Sequence, residues 1–165
     1  MTTTPAEDRT VVASSTMAAV PPARRVGRVG ALALVLALVV AALSGCLDNN
    51  QLYGQRRVNN SRAASGLSSL PIHAQAQAKA QAWANRLARE NRLYHSTLSD
   101  GITARWCGLA ENVGYGATSQ SVHEAFMNSS GHRANILGRS WNGVGVGVAR
   151  NGDRAYVVHV FIQTC

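Results

Sequence analysis

The 165-residue sequence predicts an α+β fold in which helices pack on a small antiparallel sheet. Three observations carry this expectation. Ala76, Ala80, Trp83 and Leu87 recur at steps of four, three and four, the period of a helix with one buried stripe. Val144, Val146 and Val148 alternate with Gly143, Gly145 and Gly147, the period of a strand. Asn151-Gly152 then marks a tight turn into a second strand, Ala155 to Ile162, rich in valine and aromatics.

The chain opens with a segment built for export. Arg24, Arg25 and Arg28 precede a charge-free run of fifteen residues, Val29 to Leu43, and Leu43-Ser44-Gly45-Cys46 follows. A positive flank, an apolar stretch and small residues before a cleavage point make a secretory signal, assigned to residues 1–45. Its ending resembles the bacterial lipobox, in which Cys46 is lipid-modified and becomes the mature N-terminus. A transmembrane anchor is the alternative, but a hydrocarbon core needs roughly 20 apolar residues and this run is shorter. Residues 1–16 are long for a leading region, so translation starts at Met1 or Met17. Residues 46–51 are expected to form a polar, lipidated tether, and 52–165 the folded domain.

Within that domain, Leu52 to Ala64 is arginine- and asparagine-rich with a modest helical signal, and Gly66 to Pro71 punctuates it. The helix carrying the alanine stripe is expected over Ile72 to Asn91, and that stripe is core. A polar stretch through His95, Asp100 and Gly101 reads as a loop, the kind of segment that often carries function. Ser121 and Glu124 have capping-box spacing and predict a short helix over Val122 to Asn128. Ser129-Ser130-Gly131 interrupts it, and His132 to Leu137 predicts one or two further helical turns. The glycine face of the first strand has almost no side chains, so a neighbour must lie close against it.

Charge and cysteines narrow the setting. From residue 46 onward there are twelve basic and six acidic residues, a balance that favours phospholipid head groups or acidic wall polymer as neighbours. No basic helix is interleaved with aromatics, so nucleic acid is not an expected partner. With Cys46 lipidated, Cys107 and Cys165 remain, and an even remainder in an exported protein suggests one disulfide. Closing that loop stabilises by ~4 kcal/mol in the chain-entropy model. A cysteine-rich zinc site is the alternative, but the sequence has no C-x-x-C pair. Oxidation of Cys107 would also remove Cys-His nucleophilic catalysis.

His95-Ser96, Ala110-Glu111-Asn112-Val113-Gly114, Phe126 through Leu137 with Ser130-Gly131-His132 at its centre, and Gly143 to Gly147 stand out as separate motifs in one register. In order and spacing they resemble the CAP superfamily of cysteine-rich secretory proteins, venom antigens and plant pathogenesis-related proteins, in its bacterial form. The resemblance runs from about Leu52 to Cys165. It implies a three-layer α-β-α sandwich with a three- or four-stranded antiparallel sheet, and a cleft lined by two histidines and two glutamates that in some members holds a divalent metal. By motif, His95 corresponds to the first histidine, Glu111 to the glutamate of the Glu-Asn pair and His132 to the histidine after Ser-Gly. The second glutamate has no counterpart. Phe126 stands for the family's tryptophan, Ser129 occupies the carboxylate's position, and Glu124 is the nearest substitute.

Two imidazoles and a carboxylate on one cleft can bind zinc or a similar ion, with His95 and His132 as metal ligands and an open position for water. In a hydrolytic site Glu111 would accept a proton from water. The competing reading makes Glu111 the organiser of a Glu-Asn loop through amide hydrogen bonds. His132, near a helix start, is expected to be neutral, since the helix dipole disfavours its cation. His123 is expected on a solvated helix face, His159 in the sheet and His73 at the surface. The expected role is a binding module on the outer face of the cytoplasmic membrane for a peptide, lipid or glycan ligand. The alternatives are a metal-assisted hydrolase of wall material and a purely adhesive protein.

Overall fold

The computed structural model describes residues 48–165. The export segment expected over residues 1–45 and the lipidation expected at Cys46 lie outside the described residues. No helix among the described residues is long and apolar enough to cross a membrane.

Helix α1 spans Asn49–Ala64. It begins earlier than the sequence predicts, because Asp48 and Gln51 form a capping box: Gln51 N donates to Asp48 Oδ1 at 2.8 Å, and Asp48 N to Gln51 Oε1 at 3.0 Å. Residues 49–51, expected in a tether, are therefore the first turn of the domain. The buried guanidinium of Arg62 donates to the carbonyls of Ser68, Ile136 and Gly138, so a charge in the core is matched by acceptors.

Helix α2 spans Ala74–Glu90 and ends on Asn91 in the left-handed region (φ 49°). His73, expected at the surface, is its N-cap, its ring accepting from Ala76 N at 3.4 Å. Strand β1 is Trp106–Gly116, helix α3 Ser119–Asn128, helix α4 Ser130–Ile136, strand β2 Gly143–Asn151 and strand β3 Arg154–Thr164. The capping box of α3 is Thr118 with Ser121, three residues before the pair the sequence suggests, so Glu124 has no capping role. The sheet is antiparallel in the order β1-β3-β2, with an isolated parallel bridge from Ile72 to Val144.

Period-two alternation divides the sheet between two cores. Val113, Tyr156, Val158, Val160 and Ile162 pack against Ala76, Ala80, Ala84 and Leu87 of α2. Val144, Val146, Val157 and Phe161 pack on the other face against Val58, Val122, Phe126 and Ile136 of α1, α3 and α4. This is the expected α-β-α sandwich.

The neighbour of the glycine face is the backbone of α2. A Cβ on Gly145 would collide with the main chain of Ala76, and one on Gly147 with that of Ala80. The glutamines that follow those alanines complete the seam. Gln77 bonds both backbone groups of Val146 (2.8 and 2.9 Å), and Gln81 both of Val148 (2.9 and 3.1 Å). Side-chain amides thus take the place of a neighbouring strand along this edge. At the top of the sheet Cys107 and Cys165 are joined by a disulfide across a sequence separation of 58.

Candidate functional site

The site is organised by two consecutive residues of β1. Glu111 and Asn112 point to opposite faces because side chains alternate along a strand, and each grips a different loop. The sequence suggests a loop for this pair. It lies instead in a strand, with Glu111 opposite Val160 and Asn112 opposite His159.

Glu111 is held on the α2 side with its side chain only 3% exposed. Its Oε1 accepts from Ser96 N at 2.9 Å and His95 Nδ1 at 2.8 Å, and its Oε2 from the Ser96 hydroxyl at 2.7 Å. A carboxylate offers only acceptors, so Nδ1 of His95 carries the proton and the ring presents Nε2 outward. The His95 side chain is 61% exposed, which leaves that nitrogen accessible. Beneath the same loop runs Lys79, a buried cation that donates to the carbonyls of Thr97 (2.7 Å) and Asp100 (2.9 Å). Burial pushes the Lys79 ammonium down from its usual pKa, while Glu111 and Asp100 pull it back up.

Asn112 works on the opposite face, fully buried. Its Nδ2 donates to the carbonyl of His132 at 3.0 Å, and its Oδ1 accepts from Asn135 Nδ2 at 2.9 Å, fixing α4 against the strand. The ring of His132 lies 4.9 Å from that of Phe126, and its Nδ1 meets the hydroxyl of Ser129 at 2.8 Å. Ser129 is the N-cap of α4 yet makes no side-chain cap bond, because its hydroxyl is given to the imidazole. Burial lowers the pKa of His132, and His95 lowers it further.

The structure therefore joins His95 to Glu111 directly, and Asn112, on the opposite face of β1, holds the backbone carbonyl of His132. Nε2 of neither ring has a hydrogen-bond partner among the described residues. Glu124 does not complete the set. Its half-exposed carboxylate pairs with Arg57 of α1 at 3.2 Å and accepts from Gln120 at 2.9 Å. His123, expected on a solvated face, is buried, with its Nε2 at 2.8 Å from Ser61 Oγ and its ring 5.9 Å from that of buried His159. Sequence reasoning gives no role to Ser96, Lys79, Asn112 or Ser129. The adjacency of Ser96 to His95 and of Asn112 to Glu111 is the available signal; for Lys79 the only hint is a lone cation on an alanine-rich face.

The family model of the cysteine-rich secretory protein family, CAP, matches residues 55–165. The chain belongs to the CAP family. Solved structures agree on the CAP fold. An outer surface protein from Borrelia burgdorferi superposes with a TM-score of 0.60 at 15% identity, covering 67% of this chain and 90% of that one. An extracellular protein containing an SCP domain from Bacillus anthracis gives 0.61 at 22% identity, covering 73% of this chain and 45% of that one. A cysteine-rich secretory protein from Staphylococcus aureus gives 0.58 at 22% identity over 70% and 38% of the two chains. This CAP chain thus spans less than half the length of the last two. Among curated proteins none matches the chain by sequence.

A metal here would have two imidazoles to draw on, those of His95 and His132. Among the described residues no three His, Cys, Asp or Glu side chains are grouped as ligands. Glu111 is already committed to three donors, so His95 and His132 through Nε2 would hold an ion, with water or ligand atoms filling its remaining positions. Such an ion would supply Lewis-acid polarisation of a bound oxygen.

Proposed function

We propose that this chain is an exported, lipid-anchored CAP domain that binds an extracellular or cell-envelope ligand, a peptide, lipid or glycan, at His95 and His132, with Glu111 as positioning carboxylate. The observation that carries this reading is the withdrawal of Glu111, whose side chain is 3% exposed and accepts three hydrogen bonds from His95 and Ser96. A general base must have a lone pair facing water or substrate. Glu111 instead spends both oxygens on His95 and Ser96, and Ser129 stands in place of a second carboxylate. Left without a protein partner are the Nε2 atoms of the two imidazoles, each able to accept a hydrogen bond or ligate an ion. Metal-assisted hydrolysis of wall material draws no support from this arrangement, since the acid and base it needs are both occupied or missing.

The test is ligation at Nε2. Purified protein titrated with zinc should show a stoichiometric perturbation of the His95 and His132 ring resonances, and His95→Ala with His132→Ala should abolish it. Unchanged shifts in the parent protein would remove the metal from the proposal. Soluble fragments released from wall preparations by the parent, but not by Glu111→Gln, would establish hydrolysis in place of binding.

A further inference from the structure

The first turn of α1 is stitched to one end of the sheet. Gln51 donates to Gln81 Oε1 at 2.9 Å, and Gln81 in turn holds the backbone of Val148. The last residues of β2 therefore lie beside the point where the chain enters the domain. There Asn85, Ala88, Arg89, Ala149, Arg150 and Asn151 line an open hollow of about 520 Å³. Across the β2–β3 turn, Arg154 lies over the ring of Tyr115 at 5.0 Å and donates to Asn91 Oδ1 at 3.2 Å. Arg150 donates to the carbonyls of Ala117 and Asp153. The ion pairs among the described residues are Arg57–Glu124, Arg86–Glu90 and His95–Glu111, so no carboxylate among them neutralises Arg89, Arg150 or Arg154. Tyr53, one turn into α1, is 40% exposed, and Tyr115 is 49% exposed.

We infer that this end of the domain is a membrane-facing surface, in which Arg89, Arg150 and Arg154 engage the phosphates of an anionic bilayer and Tyr53 and Tyr115 lie at head-group level. The inference rests on the lipid-anchor reading for its geometry. Cys46 stands three residues before Asn49, so an acyl chain on it is at most about 10 Å of extended polypeptide from the first turn of α1. A tether that short holds the entry end of the domain against the head groups. Three guanidiniums without carboxylate partners complement phosphate there, since guanidinium binds phosphate in bidentate geometry and is more weakly hydrated than an ammonium. Exposed tyrosines suit the same depth, with an apolar ring and a polar tip.

The test removes the acyl chain and asks whether the surface binds by itself. Cys46→Ala protein beginning at residue 46, without the apolar export segment, should co-sediment with vesicles containing phosphatidylglycerol and not with phosphatidylcholine vesicles, and high salt should release it. Replacing Arg89, Arg150 and Arg154 together by glutamine should weaken binding by about a hundredfold. The same exchange at Arg105, Arg133 and Arg139, likewise exposed but elsewhere, should leave most of the affinity, with melting temperatures of both variants as the check on folding. No sedimentation with either vesicle, equal binding to both, or equal loss in the two triple variants overturns the surface. Binding that anionic wall polymer or inorganic phosphate abolishes at matched ionic strength assigns the hollow to a soluble anion and also overturns it. The anchor is read separately, from whether the parent partitions with membranes in cells and Cys46→Ala does not. An anchor without vesicle binding, or vesicle binding without an anchor, tells the two failures apart.

Discussion

Glu111 shows how one side chain's partners set its chemistry. A carboxylate at the mouth of a cleft reads as an acid or base, but here three donors from His95 and Ser96 occupy it and the side chain is withdrawn from solvent. Removing the charge should free the loop rather than stop a reaction. In Glu111→Gln the Ser96 hydroxyl can keep its bond only by turning to accept, and all three bonds lose the carboxylate charge, where hydrogen bonds to a charged group contribute about 1.5–3 kcal/mol each. The backbone amide of Ser96 should accordingly exchange at least tenfold faster. Unchanged protection of that amide would show that the loop does not depend on Glu111. Ser129 makes the same point with a neutral group: a residue suited to capping has been diverted to orient an imidazole.

Elements meet through the absence of side chains as much as through their presence. Strand β2 can lie on α2 because Gly145 and Gly147 leave room for the helix backbone, and the alternation of alanine and glutamine in α2 fits that approach, alanine inward and glutamine along the edge. Gly147→Ala should therefore cost about 1–3 kcal/mol, because its methyl would overlap the main chain of Ala80, which cannot move without the whole helix. Gly131→Ala, where a methyl meets nothing within 4 Å, is the matched control. Equal urea midpoints for Gly147→Ala and the parent would mean the helix and strand slide apart at little cost. The strand hardest to read from the chain is β1, which carries Glu, Asn and Gly at its centre. These residues are poor strand formers, and the strand is held by pairing with β3 and by its contacts on both faces.

Across the whole domain, two buried histidines tie stability to pH. His123 bridges α3 to Ser61 of α1, and His159 lies in β3 between Phe126 and Phe161; Nδ1 of each has no hydrogen-bond partner among the described residues. Burial, reinforced by Arg57, lowers His123 to about 4, and burial, reinforced by His123 and His132, lowers His159 to about 3. Unfolded histidine titrates near 6.5, so below that pH the unfolded chain binds protons that the folded chain refuses. Stability should be flat above about pH 6.5 with respect to these groups. It should then fall by about 1.4 kcal/mol per pH unit for each histidine, until the folded rings themselves titrate. Urea unfolding at stepwise lower pH measures this slope, and His159→Phe should roughly halve it. A slope that the substitution leaves intact would assign acid sensitivity to the carboxylates instead.

The helix of the alanine stripe, the β2–β3 hairpin, the pairing of Cys107 with Cys165 and the family motifs are all legible in the chain alone. The helix and hairpin are written in local periodicity and turn chemistry, which neighbours along the polypeptide suffice to specify, and the disulfide in a count of cysteines. Three-dimensional packing was needed to establish that Glu111 and Asn112 lie in a strand and grip two loops from opposite faces, that Glu124 belongs to Arg57, and that His123 is interior. Those outcomes depend on which distant segment fills the space beside a residue. A side chain's burial and its partners, unlike its period, are set by contacts between elements that are far apart in sequence.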